Sequence, residues 1–514
     1  MTNSFFKKNK VFKSEMSKEL REDFIPGPEK DPCFSGVLEV DTNIIKKIYS
    51  YPINVDFMIR EFSIYKMGKK AALFYIPTLT DVEKIEEEII KPLILTDKVV
   101  QDVISSLSVS SIHVEEVLNN AIKEMNTGNT LLLVEGESYG YIIKTDKAAG
   151  RSIEKPQNET TLLGPKESFV EKAEINISLI RKKIRSEDFI VEKMTIGARS
   201  NNEVFIVYNK ELANQKVIDE VKGRISSVKK DAVQNLALLI QHIEDRKSSL
   251  VPTILHTERP DRAASFLEDG HVIVLMNNSP FSLVTPATFW SFFHSGDDHY
   301  LRFFYGNFTR LLRLIATFIT LFTPAIYIAI TNFHVEMLPT DLLLAIAGAR
   351  ETVPLPAILE LLMLEMAFEL IREAGIRVPT PIGPTIGIVG ALILGQAGVE
   401  ANVFSPIVVI VVALSGLSSY AISDINLNYT VRIARFAFIF AAGFLGIFGM
   451  VGCFMACIIY LASIKSFGVP FIAPLTPKYK SSGDTIFRKL LTNERFRPAF
   501  TKTKDLTKDT IQNK

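Results

Sequence analysis

The sequence predicts an α/β soluble N-terminal half made of two similar duplicated subdomains, followed by an α-helical integral membrane domain. Three observations carry that prediction. A strand–turn–strand–helix pattern occurs twice before residue 290, the composition turns apolar at Leu311, and most charges lie before residue 310 or after 464. The net charge of +1 conceals this uneven layout. The first 300 residues are enough to bury a core of their own.

The chain opens with "MTNSFFKKNKVFKSEMSKELRED", polar and Lys-rich and unlike a cleavable signal, so residues 1–25 read as a flexible basic arm. No motif links that arm to nucleic acid, and no nucleic-acid partner is expected.

Residues 26–150 and 151–290 read as two α/β subdomains. "DFMIREFSIYKMGKKAALFYI" (56–76) parallels "DFIVEKMTIGARSNNEVFIVY" (188–208), each reading as strand, polar turn and strand. Amphipathic helices follow in both copies, "VEKIEEEIIKPL" and "NQKVIDEVKGRI". "GNTLLLVEGESYGYIIKT" (128–145) matches "GHVIVLMNNSPFSLVTPA" (270–287), and "GPEKDPCF" to "NIIKKI" (27–48) is echoed by "GPKESF" to "NISLIRKKI" (164–184). One unit repeated twice accounts for all three pairs, with "KAAGRSIEKPQNETTLLGP" as the link.

The duplication disposes of a tempting catalytic motif. Gly136-Glu137-Ser138-Tyr139-Gly140 matches G-x-S-x-G, but a nucleophile elbow needs a strand-to-helix turn. Strands flank this one on both sides, and Pro280 stands in place of Ser138 in the second copy. It is a hairpin turn. Walker A, HExxH and CxxC motifs do not occur, so neither an enzyme nor a cofactor is expected. Of the three cysteines, Cys453 and Cys457 share one face of an apolar helix and read as packing residues. His294, Asp297, Asp298 and His299 could gather a metal, but a solvated turn is the favoured reading and no metal is expected.

The membrane domain is placed at 311–464. "LLRLIATFITLFTPAIYIAITNF" (311–333) supplies about 20 apolar residues, enough for roughly 30 Å of hydrocarbon, with Pro324 as a kink. "VFSPIVVIVVALSGLSSYAI" (403–422) is a second span. "IARFAFIFAAGFLGIFGMVGCFMACIIYLASI" (433–464) is a third, long enough that it must tilt or break near its glycines. About four to six membrane helices are expected, one short or re-entrant. Arg302, Arg310 and Arg313 precede the first span, and the basic tail 465–514 carries eleven Lys/Arg against four Asp/Glu. Both flanks read as cytoplasmic, which requires an even number of crossings. "TFWSFFHSGDDHYLRFFYGNF", with the only tryptophan, Trp290, and many Phe and Tyr, reads as an aromatic segment at the water–lipid boundary, assigned to residues 291–310.

Within the membrane domain four carboxylates stand out: Glu360, Glu365, Glu369 and Asp424. Glu365, Glu369 and Glu373 recur every fourth residue and share a stripe, while Glu360 lies about 140° away. Each charge in hydrocarbon costs about 3 kcal/mol, so lipid is not their expected neighbour. Two readings stand level: an interfacial helix with wet charges and Glu373 paired to Arg377, or a stripe facing a water-filled path. Asp424 could pair with Arg432 or Arg435. In "GPTIGIVGALILGQAG" (383–398), Gly383, Gly387, Gly390 and Gly398 fall on one face suited to close helix packing. Thr385, Val389, Leu392 and Gln396 fall on the opposite face. If subunits of a homo-oligomer pack through the glycines, that face could ring a narrow pore; ordinary helix packing explains the glycines equally well.

"LFTPAIYIAITNFHVEMLP", "REAGIRVPTPIGPTIGIVGALILGQAGVEA" and "ISDINLNYTVRIARF" resemble the membrane domain of GerA-type spore germinant receptor A subunits. "GPKESFVEKAEINISLIRKKI" and "TERPDRAASFLEDGHVIVLMNNSPFSLVTP" resemble the same family's soluble half, and the similarity runs from about residue 26 to 477. The resemblance implies a multi-pass protein of the spore inner membrane with its soluble half toward the core. It implies a transporter-like membrane B subunit and a lipoprotein C subunit as partners, and assembly into a nutrient-gated channel for monovalent cations. A channel paralogue that amplifies germination without a germinant-binding partner, or a secondary transporter with a broken helix at 383–398, are the alternatives.

Overall fold

The computed structural model describes residues 32–64, 67–95, 103–107, 109, 111–147, 155–377, 390, 392–479 and 485–508. They fall into two compact units, one within Met1–Ala149 with Arg185–Glu187, the other Gly150–Ile184 with Asp188–Lys514.

The first unit is a three-layer sandwich. Helix α1 (Leu38–Ile48) leads into β1 (Met58–Ile64) and β2 (Lys69–Tyr75), followed by helical residues 82–95, β3 (Ile112–Glu115), α2 (Leu118–Met125), β4 (Thr130–Val134) and β5 (Gly140–Ile143). The antiparallel sheet has the order β1-β2-β4-β5-β3. Alternation along β4 fills both faces: Leu131 and Leu133 pack under α1 and α2, while Leu132 and Val134 pack under 82–95.

The second unit repeats this plan. Helix α3 (Ala173–Arg181) precedes β6 (Phe189–Ile196) and β7 (Asn202–Asn209); α4 (Gln215–Ser226), α5 (Leu236–Ile243), β8 (Leu255–Thr257), α6 (Pro260–Glu268), β9 (Val272–Met276) and β10 (Ser282–Thr285) follow. The strand order is β6-β7-β9-β10-β8, the first sheet's order again. Register agrees as well: Thr130 pairs Ile143 and Leu131 pairs Ile142, as Val272 pairs Thr285 and Ile273 pairs Val284. Each of these hairpins turns through a positive φ at its second loop residue, Gly136 (83°) and Asn278 (63°). The G-x-S-x-G segment is therefore the β4–β5 hairpin turn, with Pro280 in the matching loop.

Beyond the second sheet come α7 (Phe289–Phe293), α8 (Asp297–Tyr300), α9 (Phe303–Phe333), α10 (Thr340–Arg350), α11 (Ala357–Arg377), α12 (Pro406–Ser419) and α13 (Ile425–Ser463). Of the described helices, α9 and α13 are long and apolar enough, by length and composition, to cross a membrane. The aromatic segment divides. Trp290 is buried, and Phe292 and Phe293 join the core of the second sheet, whereas Phe304, Tyr305 and Phe308 are exposed. Trp290 thus turns inward, because a capping box at Thr288 and Ser291 starts α7 with its apolar side on the sheet layer.

Helix α13 is a hairpin. Gly446 has φ 60° and ψ −140°, outside any helical region. Thr430 donates to Leu250 O (2.7 Å) and Tyr460 bonds the Ser249 hydroxyl (2.9 Å). A straight helix would hold residues 430 and 460 about 45 Å apart (30 × 1.5 Å), yet they meet adjacent residues. Phe322 touches both Phe438 and Phe454, and a methyl added at Gly449 would fall 2.1 Å from Ala441 O. The long span breaks at a glycine, as its length suggests, and the break is a full reversal.

Both ends of the hairpin root in the second sheet layer. Ile422, Leu427, Val431, Ile464 and Phe471 belong to the same core as Phe189 and Leu275. The tail then wraps that layer: Arg497 donates to Glu268 O (2.7 Å), Lys504 N–H to Leu212 O (3.1 Å), and Lys508 pairs with Asp269 (2.6 Å).

Candidate functional site

Helices α11 and α12 run side by side in the same direction. Glu360 accepts the N–H of Ser405 ahead of α12, Glu365 meets Ser415 midway, and Arg372 meets Ser419 at its end. The outgoing limb of α13 packs beside them and supplies Arg432 and Arg435. Close approach depends on small residues: a methyl at Gly416 would collide with Phe368 at 2.5 Å, and one at Gly443 with Ile358 at 2.1 Å.

The result is a charged network inside an apolar bundle. Arg435 is fully buried; its Nη2 lies 2.8 Å from Glu365 Oε2 and donates to Glu369 Oε1 at 2.8 Å, and its Nη1 donates to Ser415 Oγ at 2.6 Å. Ser415 in turn donates to Glu365 Oε1 (3.2 Å). Arg432 grips Glu369 through Nε (3.1 Å) and Nη2. Arg372 Nη2 donates to Gly416 O (3.2 Å) and Ser419 Oγ (2.6 Å). Glu360, also fully buried, has Arg350 Nε 3.9 Å from its second oxygen. Charges so buried survive only when they answer one another.

The carboxylate stripe therefore splits. Glu373 is exposed and paired with Arg377 at 2.7 Å, as the interfacial reading has it. Glu365 and Glu369 turn into the bundle onto arginines 63 to 70 residues downstream. Asp424 pairs with neither arginine. It caps α13, accepting the Leu427 N–H at 2.8 Å, and both arginines are held by the glutamates.

Of the glycine face, Gly383 and Gly387 lie outside the described residues, as do Thr385 and Val389. Gly390 packs on Ile371 of α11, where a methyl would come within 2.8 Å, and Gly398 packs on Phe404 at 2.7 Å. These two described glycines thus serve packing within one chain. Leu392 and Gln396 are exposed, and Gln396 donates to Glu400 (3.0 Å).

A second charged site fastens α9 to the sheet layer. Asp298 is buried against Arg310 (3.1 Å) and Arg313 (3.1 Å). Burial pushes its carboxyl up, but the hydrogen bond and charge of Arg313, with the charge of Arg310, outweigh that and hold it below the usual carboxylate range. Asp297 accepts the Leu162 N–H (3.1 Å), and His294 Nε2 lies 2.6 Å from Thr485 O. Three of the four residues weighed as metal ligands are thus engaged elsewhere, and no cluster able to hold a metal occurs among the described residues.

With this geometry in hand, comparison places the chain. Residues 43–500 match the family model described as Bacillus/Clostridium GerA spore germination protein. Spore germination protein KA of Bacillus subtilis (strain 168) is 37% identical, with 84% of this chain and 81% of that protein covered. Spore germination protein GerLA of Bacillus cereus is 32% identical over 88% of this chain and 93% of that one. The uncharacterized membrane protein YfkQ of Bacillus subtilis (strain 168) is 35% identical, with 84% and 85% covered. Among solved structures, the crystal structure of the N-terminal domain of the A subunit of the Bacillus megaterium spore germinant receptor GerK3 matches at 24% identity. It covers 51% of this chain and 99% of its own, with a TM-score of 0.40. KA, GerLA and the family model share the description spore germination protein, and the chain belongs to the GerA spore germination family.

Proposed function

We propose that the chain is the A subunit of a nutrient germinant receptor, a multi-pass protein of the spore inner membrane that oligomerises into a cation channel. The observation that carries this reading is the seating of the charges. Glu365, Glu369, Arg432 and Arg435 satisfy one another inside the bundle, so its outer surface is apolar and suited to lipid or to another subunit.

The chain's directions fit six crossings. Helix α9 leads away from the sheet layer, α11 returns, and 390–400 leads away again, from the level of Ile371 to that of Phe404. Helix α12 returns, and the two limbs of α13 go out and back. That even number keeps both α/β subdomains and the tail on the cytoplasmic side. The segment 383–398 is the proposed short element, and Thr385, Val389, Leu392 and Gln396 are its proposed pore face. A transporter-like B subunit and a lipoprotein C subunit are the proposed partners.

Ion-flux recording on the purified chain, alone and with those partners, tests the proposal. Leu392→Ala and Val389→Ala should raise leak, and Gln396→Ala should change which monovalent cation passes. Flux unchanged in all three variants removes the pore assignment. Substrate-saturable flux without subunit rings would instead favour a carrier.

A further inference from the structure

The bundle's charge count is uneven. Three guanidiniums, Arg372, Arg432 and Arg435, share two carboxylates, Glu365 and Glu369. Arg372 is the one left over. Its Nη2 bonds only a carbonyl and a hydroxyl, and its Nε and Nη1 have no acceptor among the described residues. The guanidinium lies between two rings, 4.5 Å from Tyr420 and 5.2 Å from Phe368, which shut those nitrogens off from water. A guanidinium with two buried nitrogens lacking acceptors, and with only a share of a carboxylate already held by Arg435, is the costly arrangement in a bundle of this kind.

Beside it lies a cavity of about 690 Å³ between α11, α12 and the start of α13. Phe368, Val409, Val412 and Leu417 wall most of it. The polar residues gather at the end near the sheet layer, where Asn428 Oδ1 also lacks a partner. The exposed Tyr420 forms part of that wall.

Resting on the membrane reading above, we propose that this cavity holds one anionic phospholipid. Its phosphate lies against Arg372 and Arg432, and an acyl chain runs along Phe368, Val409 and Leu417. The phosphate supplies the missing negative charge and acceptor oxygens, and the apolar depth takes the chain. Free inorganic phosphate offers the same charge but leaves that depth unfilled.

The test uses the full chain in lipid nanodiscs of mixed phosphatidylglycerol and phosphatidylcholine, with retained lipid counted by native mass spectrometry. One phosphatidylglycerol per chain is expected, enriched about tenfold over phosphatidylcholine, a preference of about 1.4 kcal/mol. Arg372→Gln should abolish the enrichment and Arg372→Lys should keep part of it. Ala413→Phe fills the apolar end without touching the charge and should also abolish it. Equal enrichment in wild type, Arg372→Gln and Ala413→Phe overturns the proposal. So does inorganic phosphate that stabilises the wild type in pure phosphatidylcholine discs as well as phosphatidylglycerol does. A chain that does not enter the discs at all defeats the membrane reading instead.

Discussion

Arg435 and Glu365 face each other with neither side chain exposed to solvent, Nη2 and Oε2 2.8 Å apart, across the contact between α13 and α11. Removing one partner of such a pair strands the other. Arg435→Met should therefore cost about 3–5 kcal/mol, and the double variant Glu365→Leu/Arg435→Met should recover part of it. Thermal unfolding of the purified protein in detergent reads both. A single variant as stable as wild type would mean the pair is not buried.

The reversal at Gly446 makes a topological prediction. Single cysteines placed at Ile425 and Lys465 should react with an impermeant maleimide from one and the same side of the membrane. A cysteine at the exposed Leu445 should react from the other. If residues 425–463 formed one straight crossing, the first two would label from opposite sides.

Gly446 itself cannot be replaced cheaply. At φ 60° and ψ −140° a side chain is strained, and a methyl there would come within 2.9 Å of Phe333 Cβ and His334 Nε2. Gly446→Ala should cost about 1–3 kcal/mol from the backbone alone. His334→Ala should cost less, because it removes a long 3.4 Å bond from the Ile447 N–H and an edge contact with Phe448, and strains no backbone. The ranking of the two unfolding midpoints checks this.

Acid should weaken the sheet layer of the second unit in two stages. Burial pushes the His271 imidazole down from 6.5 to about 4, against the pull of Asp269. Its folded pKa is depressed, so its stability contribution is whole above pH 6.5 and is lost as pH falls through 4. A fall from 6.5 to about 4 corresponds to about 3 kcal/mol. Asp298, held low by its arginines, adds a further loss only below the ordinary carboxylate value of 3.8. Unfolding midpoints measured from pH 7 to 4 should fall, and His271→Gln should flatten that slope.

The α/β half was legible because its signals are local. Alternation in "TLLLV" and "VIVLM" fixes which side chains face each helix layer, and the matched turns around Gly136 and Asn278 betray the repeat. The bundle was less so. The partners of Glu365 and Glu369 lie 63 to 70 residues downstream, beyond any helical period, and only the fold brings them together. The hairpin was masked because "AAGFLGIFGMVG" stays apolar through its own turn. Its signal was present in Gly443, Gly446, Gly449 and Gly452, spaced every third residue. Trp290 was misplaced for a related reason: a ring suited to the membrane boundary is equally suited to a core, and its burial depends on the Thr288 cap.

Ile464 and Phe471 lie in the core of the second sheet although they follow every bundle helix in the chain. During synthesis that core must wait with a gap where these two side chains belong, until the whole bundle has been made. The final plugs arrive only when the last limb has come home. A ribosome product cut short anywhere in the bundle would thus display an open seam on its α/β layer, a ready mark for quality-control proteases.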